Sequence, residues 1–124
     1  MPVPLSPPAA SAPVLAPARP EFFIVEFRPG PAWVPGRAME QQDLRAHARY
    51  NSDLVRENRA FAAGGWGDAD GGLAILRVLD ADEAAAVVNA DPAVQRGVFV
   101  AEVRWWRPRF VSGSPMLTAE APYR

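Results

Sequence analysis

Proline divides this chain before any other residue does. Seven of its 14 prolines fall in the first twenty residues, MPVPLSPPAASAPVLAPARP, whereas Met39 to Ala62 contains neither proline nor glycine. A proline lacks an amide donor and fixes φ, so the first stretch cannot be a continuous helix or an inner strand. Residues 1–20 are therefore expected to be a disordered or polyproline-like arm. A linker or the remnant of an exported precursor suits it better than a recognition motif, because PxxP patterns arise easily in such composition. No basic segment precedes it and proline interrupts each apolar run, so a standard signal peptide fits it poorly. The expected compartment is the cytoplasm, or the periplasm if the arm follows a removed signal.

From residue 21 the pattern changes to that of a folded domain, expected over 21–108. Phe22–Phe27 is β-branched or aromatic and is stopped by Arg28-Pro29-Gly30-Pro31, which reads as a strand. Leu44, His47, Tyr50, Leu54 and Phe61 then recur at helical spacing, which predicts one long amphipathic helix from Met39 to about Ala62. Gly64-Gly65 is the expected place for its left-handed cap. A short strand near Ala62–Trp66 and a second over Leu73–Leu79 flank the turn Gly67-Asp68-Ala69-Asp70-Gly71-Gly72. Asp80 with Glu83 three residues on is a capping box for a helix over Ala84–Ala90. Asp91-Pro92 starts one further short turn, closed by Gly97, before a strand over Val98–Trp106. Residues 109–124 are expected to form an irregular tail.

The resulting order is β-α-β-β-α-β, an α+β ferredoxin-like sandwich with a four-stranded antiparallel sheet and both helices on one face. The uncovered face should then be polar. Yet Phe22 and Ile24 oppose Phe23, Val25 and Phe27, and Val98, Val100 and Trp106 oppose Phe99, Ala101, Val103 and Trp105. Apolar residues on both parities call for a second cover, and another copy of the chain is the simplest one. A homodimer packed sheet against sheet is the expectation.

Composition narrows the chemistry. There is no cysteine, which excludes thiolate nucleophiles and sulfur-based metal sites. All 13 basic residues are Arg, so a Schiff-base lysine is excluded as well. One histidine rules out a multi-histidine cage within one chain. The net charge of −1 gives no case for nucleic acid or an anionic membrane, and the strands lack the aromatic and basic signature of an RNA-binding sheet. No apolar run is long enough to span a bilayer. GGWGDADGG has neither the GxGxxG order nor a Walker lysine, and its Asp68 and Asp70 lack the spacing of a calcium loop. No cofactor and no metal are expected.

These segments in this order resemble the YciI-like (YCII-related) family of dimeric α/β-barrel proteins. The landmarks are the strand FFIVEF, the helix LRAHARYNSDLVREN, the break AAGGWG, the stretch LAILRVLDADEAAAVV, the tripeptide Ala90-Asp91-Pro92 and the strand GVFVAEVRWW. Pro29-Gly30-Pro31-Ala32-Trp33 followed by Gln41 or Gln42 is similar to a subgroup associated with exported bacterial members. The resemblance implies an acid–base pair of one His and one Asp, and the matching residues are His47 and Asp91. Most members of the family have no assigned reaction; a few are linked to small aromatic or lactone-like substrates, including a dehydrochlorinase acting on chlorinated hydroxyhydroquinone, so the resemblance implies a candidate site rather than a particular substrate.

Physical chemistry adds its own reading of these residues. His47 lies beside the buried stripe of its helix, where both ring nitrogens need partners or suffer a penalty of about 1–3 kcal/mol. Many such histidines are purely structural. An imidazole is nevertheless the side chain that can take and return a proton near neutral pH. Asp91 before Pro92 is ordinary capping chemistry, although a capping carboxylate can also orient an imidazole. Ser52 lies about 140° from His47 around the helix, which disfavours a Ser–His nucleophile. Core and dimer packing accounts for at least two of the four tryptophans. Trp66 and Trp33 are the candidates for the wall of a substrate pocket, and Tyr50 for a hydrogen bond into it. Two functions follow: a cofactor-independent lyase or isomerase using His47 and Asp91, or a dimeric small-molecule-binding module without turnover.

Overall fold

A computed structural model describes residues 19–113. Of the arm expected over 1–20 only residues 19 and 20 lie inside that range. Of the tail expected over 109–124 only 109–113 do, and they have no regular structure. The elements run β1 (Glu21–Pro29), a 3-10 turn (Met39–Gln41), α1 (Arg45–Arg56), β2 (Ala60–Gly65), β3 (Gly72–Val78), α2 (Ala81–Asn89), α3 (Pro92–Gln95) and β4 (Phe99–Trp106). The sheet is antiparallel with strand order β2-β3-β1-β4, the α+β ferredoxin-like arrangement.

The largest departure from the sequence expectation is in the first helix. It stops at Arg56 rather than near Ala62, and Gly64-Gly65 lies within β2 instead of capping the helix. The cap is Asn58, the single non-glycine residue with positive φ (62°) among the described residues. Asn58 N donates to the Val55 carbonyl (3.0 Å) and Arg59 N to that of Leu54 (2.8 Å), a Schellman closure with asparagine in the glycine role. Phe61 therefore belongs to a strand. The other caps follow the sequence more closely. Asp80 accepts from Glu83 N (2.8 Å), while the Glu83 carboxylate accepts from Leu79 N (2.9 Å), one residue before the expected donor. Asp91 caps α3, and Gly97 closes it at φ 76°.

Residues directly opposite in the antiparallel ladders share a face. Phe23, Val25 and Phe27 of β1 lie with Ala74 and Leu76 of β3 under the helices, where Leu54, Ala84, Val87 and Val88 complete the core. The opposite face is less uniformly apolar than expected. Phe22, Ile24, Leu73, Ile75, Val100 and Trp106 share it with Glu26, Arg28, Arg77, Glu102 and Arg104. Val98, expected on that face, is instead in the core (3% exposed) because the Gly97 turn folds it inward.

One part of the helix-covered face is built from unusually small residues. Across β2 and β3 its pairs are Ala63 with Ala74 and Gly65 with Gly72, where β1 presents Val25 and Phe27. Protein interiors otherwise fill to crystal-like density, so missing side-chain volume beneath α1 leaves a hollow.

Candidate active site

That hollow is a cavity of about 550 Å³. Phe27, Phe99, Ala63–Gly65 and Gly71–Leu73 form its floor and sides, with Met39 and Glu40 at the 3-10 turn. α1 lines it with Leu44, His47, Ala48, Asn51, Ser52 and Val55. Those positions recur at i, i+3, i+4, i+7, i+8 and i+11, a single helical face. Ser52 thus shares the cavity with His47 although it lies well around the helix, because the lining face is broad enough to include both.

Two of the floor glycines are required by the backbone itself. A Cβ on Gly72 would meet the Gly64 carbonyl oxygen at 2.2 Å, and one on Gly71 (φ 104°) would meet the Phe27 carbonyl oxygen at 2.2 Å. Gly65 is different: a Cβ there would reach ordinary contact with the Met39 side chain at 3.5 Å. Its lack of a side chain is room that could have been filled.

His47 and Asp91, separated by 44 residues, meet at the cavity wall. His47 Nδ1 lies 2.9 Å from Asp91 Oδ1 and 2.8 Å from Oδ2. The Asp91 side chain is buried (2% exposed), whereas the His47 side chain is 17% exposed. Asp91 Oδ1 also accepts from Ala93 N (2.9 Å), and Oδ2 from Asn51 Nδ2 (3.2 Å). The Asn51 amide and the Ala93 backbone can only donate here, so the carboxylate acts as an acceptor throughout. Opposite an ionised carboxylate a neutral ring donates from Nδ1 and keeps its lone pair on Nε2, and Asn51 Nδ2 lies 3.3 Å from the same Nδ1. No hydrogen bond engages Nε2 among the described residues.

Phe27 and Phe99 present ring edges or faces to the imidazole at centroid distances of 5.1 and 5.2 Å, nearly perpendicular to it. They fix its plane and keep water from that side. Asn51 was not legible as a site residue, although a signal existed: it sits four residues after His47 on the same helix face. Its Nδ2 also donates to the His47 carbonyl (3.0 Å), which ties the amide to the turn that carries the histidine.

The other residues singled out from sequence lie farther off. Trp33 stacks on Phe99 at 5.6 Å and so backs one wall of the histidine without lining the cavity. Its loop is held by Gln42, whose Oε1 accepts from Val34 N (2.9 Å) and whose Nε2 donates to the Val34 and Arg37 carbonyls (2.9 and 3.1 Å). Trp66 is 40% exposed and sits at the rim, with its indole nitrogen 3.5 Å from where a Cβ on Gly71 would be. The Tyr50 hydroxyl donates to the Val87 carbonyl (2.7 Å) and ties α1 to α2 rather than reaching the cavity. Burial pushes its pKa above the ordinary 10.0, with Asp91 and Glu57 adding to the rise and Arg59 opposing it.

Among the described residues no group of three or more His, Cys, Asp or Glu side chains is placed to hold a metal ion. None of their helices is long and apolar enough to cross a membrane.

The class is thus an α+β sandwich of ferredoxin-like topology with a His–Asp pair opening on a cavity. A family model, the YCII-related domain, matches residues 22–107, and the chain belongs to that family. No curated protein matches it.

Proposed function

We propose that the chain is a small cofactor-independent enzyme of lyase or isomerase type, in which His47 moves a proton on a small aromatic or lactone-like molecule and Asp91 orients it. The observation that carries this reading is the division of the imidazole. Nδ1 is held by a buried carboxylate, while Nε2 is the free basic atom of a ring exposed at a cavity wall. When Nε2 accepts a proton from a carbon or hydroxyl acid, the imidazolium forms beside an existing negative charge. The same proton can return to another atom of the substrate, or accompany departure of a β leaving group. A purely structural histidine has no need of an open ring face.

The test is proton exchange in heavy water, followed by NMR, over a panel of lactones and chlorinated hydroquinones. Exchange or elimination that falls by about 10²–10⁴-fold in His47→Gln supports general acid–base catalysis. Ligand binding with no His47-dependent exchange across the panel would leave the binding-module reading in its place.

The working unit in this reading is a homodimer through the open sheet face. Support comes from its apolar residues Phe22, Ile24, Ile75 and Trp106. Light scattering should give twice the 13.4 kDa chain mass, and Ile24→Glu should halve it. A wild-type mass of one chain overturns the dimer.

A further inference from the structure

The charge around the cavity is arranged unevenly. Arg45, Arg49 and Arg56 of α1 are all exposed, and none lines the cavity, although residues between them on the same helix do. Apart from the His47–Asp91 pair, Glu40 contributes the one charged side chain to the lining among the described residues. It belongs to the exposed 3-10 turn beside Met39 and forms no ion pair among the described residues. The rest of the lining is apolar or small, with the neutral polar groups of Asn51 and Ser52.

A carboxylate or phosphate entering this space would lose water, meet no cation and approach both Glu40 and Asp91. Burying an unpaired charge is expensive, and a like charge nearby adds to that cost. We infer that the cavity takes an uncharged molecule with an apolar body, and that Glu40 is the residue that keeps anions out. This rests on the reading of the cavity as the substrate site and goes beyond it by fixing the charge class of the occupant. The neutral ring or lactone lies over Ala63–Gly65, with its acidic hydrogen toward His47 Nε2. Glu40 does not touch the reacting atoms; it is a specificity residue.

The test uses two probes with the same bicyclic body, coumarin and coumarin-3-carboxylate, titrated into the full chain by two-dimensional NMR. Coumarin should bind at least tenfold more tightly and shift the amides of residues 63–65 and 71–73. Glu40→Gln should narrow the difference by about three- to tenfold, the scale of one unit charge about 4 Å away in a water-like dielectric. Glu40→Arg should abolish or reverse it, and raised salt should shrink it in the wild type. Because Glu40 is exposed on a short turn, neither substitution disturbs a packed core.

Equal or tighter wild-type binding of the carboxylate overturns the inference. So does a preference that survives both substitutions, or failure of coumarin to shift the cavity amides. The two readings fail separately. Loss of exchange in His47→Gln with no effect of Glu40 on selectivity removes this inference alone. Selectivity controlled by Glu40 without His47-dependent exchange removes the catalytic reading alone.

Discussion

Asp80 and Asp91 do the same local job in two different environments. Each is an N-cap whose carboxylate accepts a backbone N–H at the start of a helix, from Glu83 and Ala93 respectively. Asp80 is exposed and its carboxylate serves its own helix. Asp91 is buried and shares its oxygens with His47 and Asn51 from another element. A cap is a matter of a few consecutive residues. A carboxylate that also fixes a tautomer requires two distant segments to be packed together, and burial strengthens the bonds it makes there.

The comparison can be broken most readily at Asp91. Asp91→Ala removes a cap and leaves His47 and Asn51 without their acceptor, and it should cost about 3 kcal/mol in chemical denaturation. Asn51→Ala should cost about 1–2 kcal/mol. In a double-mutant cycle with Asp91→Asn the two losses should fall short of additivity by about 1 kcal/mol, as for neighbours in one network. Asp80→Ala should cost about 1 kcal/mol, the ordinary worth of an exposed cap. Equal losses at the two aspartates would erase the distinction between them.

The smallest effect is expected at high pH, where Tyr50 sharpens the role of the other face of α1. Its folded-state pKa lies above the ordinary value, so folding favours the protonated phenol. That contribution is fully present below about pH 10 and is lost as pH rises through the folded-state value, because only the unfolded chain first releases the proton. Stability should therefore decline over that range in the wild type and decline less in Tyr50→Phe. An identical slope in both proteins would contradict the burial of this hydroxyl against Val87.

Local signals made much of this molecule legible. The order of strands and helices, the Asp80 and Asp91 caps and the Gly97 closure each depend on a few adjacent residues, and all can be read from the chain. The end of α1 could not be read in the same way. Asn58 occupies a left-handed position usually given to glycine, and the Gly64-Gly65 pair, which begins six residues later, is the more conspicuous stop. Those glycines serve the cavity floor instead, through pairing with β3 that no local pattern shows. His47 and Asp91 stood out as a pair only through the family resemblance. Asn51 was hidden because its function depends on where α3 is placed. Tyr50 and Trp33 are of types that line pockets, yet one hydroxyl is taken by Val87 and one indole is spent on stacking against Phe99.

The central claim is that Asp91 holds the His47 proton on Nδ1 and leaves Nε2 as the base facing the cavity. Long-range ¹H–¹⁵N NMR of the imidazole tests this directly, and the chain's single histidine makes assignment unambiguous. In the neutral ring the account predicts a protonated Nδ1 and an unprotonated Nε2, with the balance moving toward the Nε2–H form in Asp91→Asn. A neutral ring already protonated on Nε2 in the wild type, unaffected by that substitution, would contradict it.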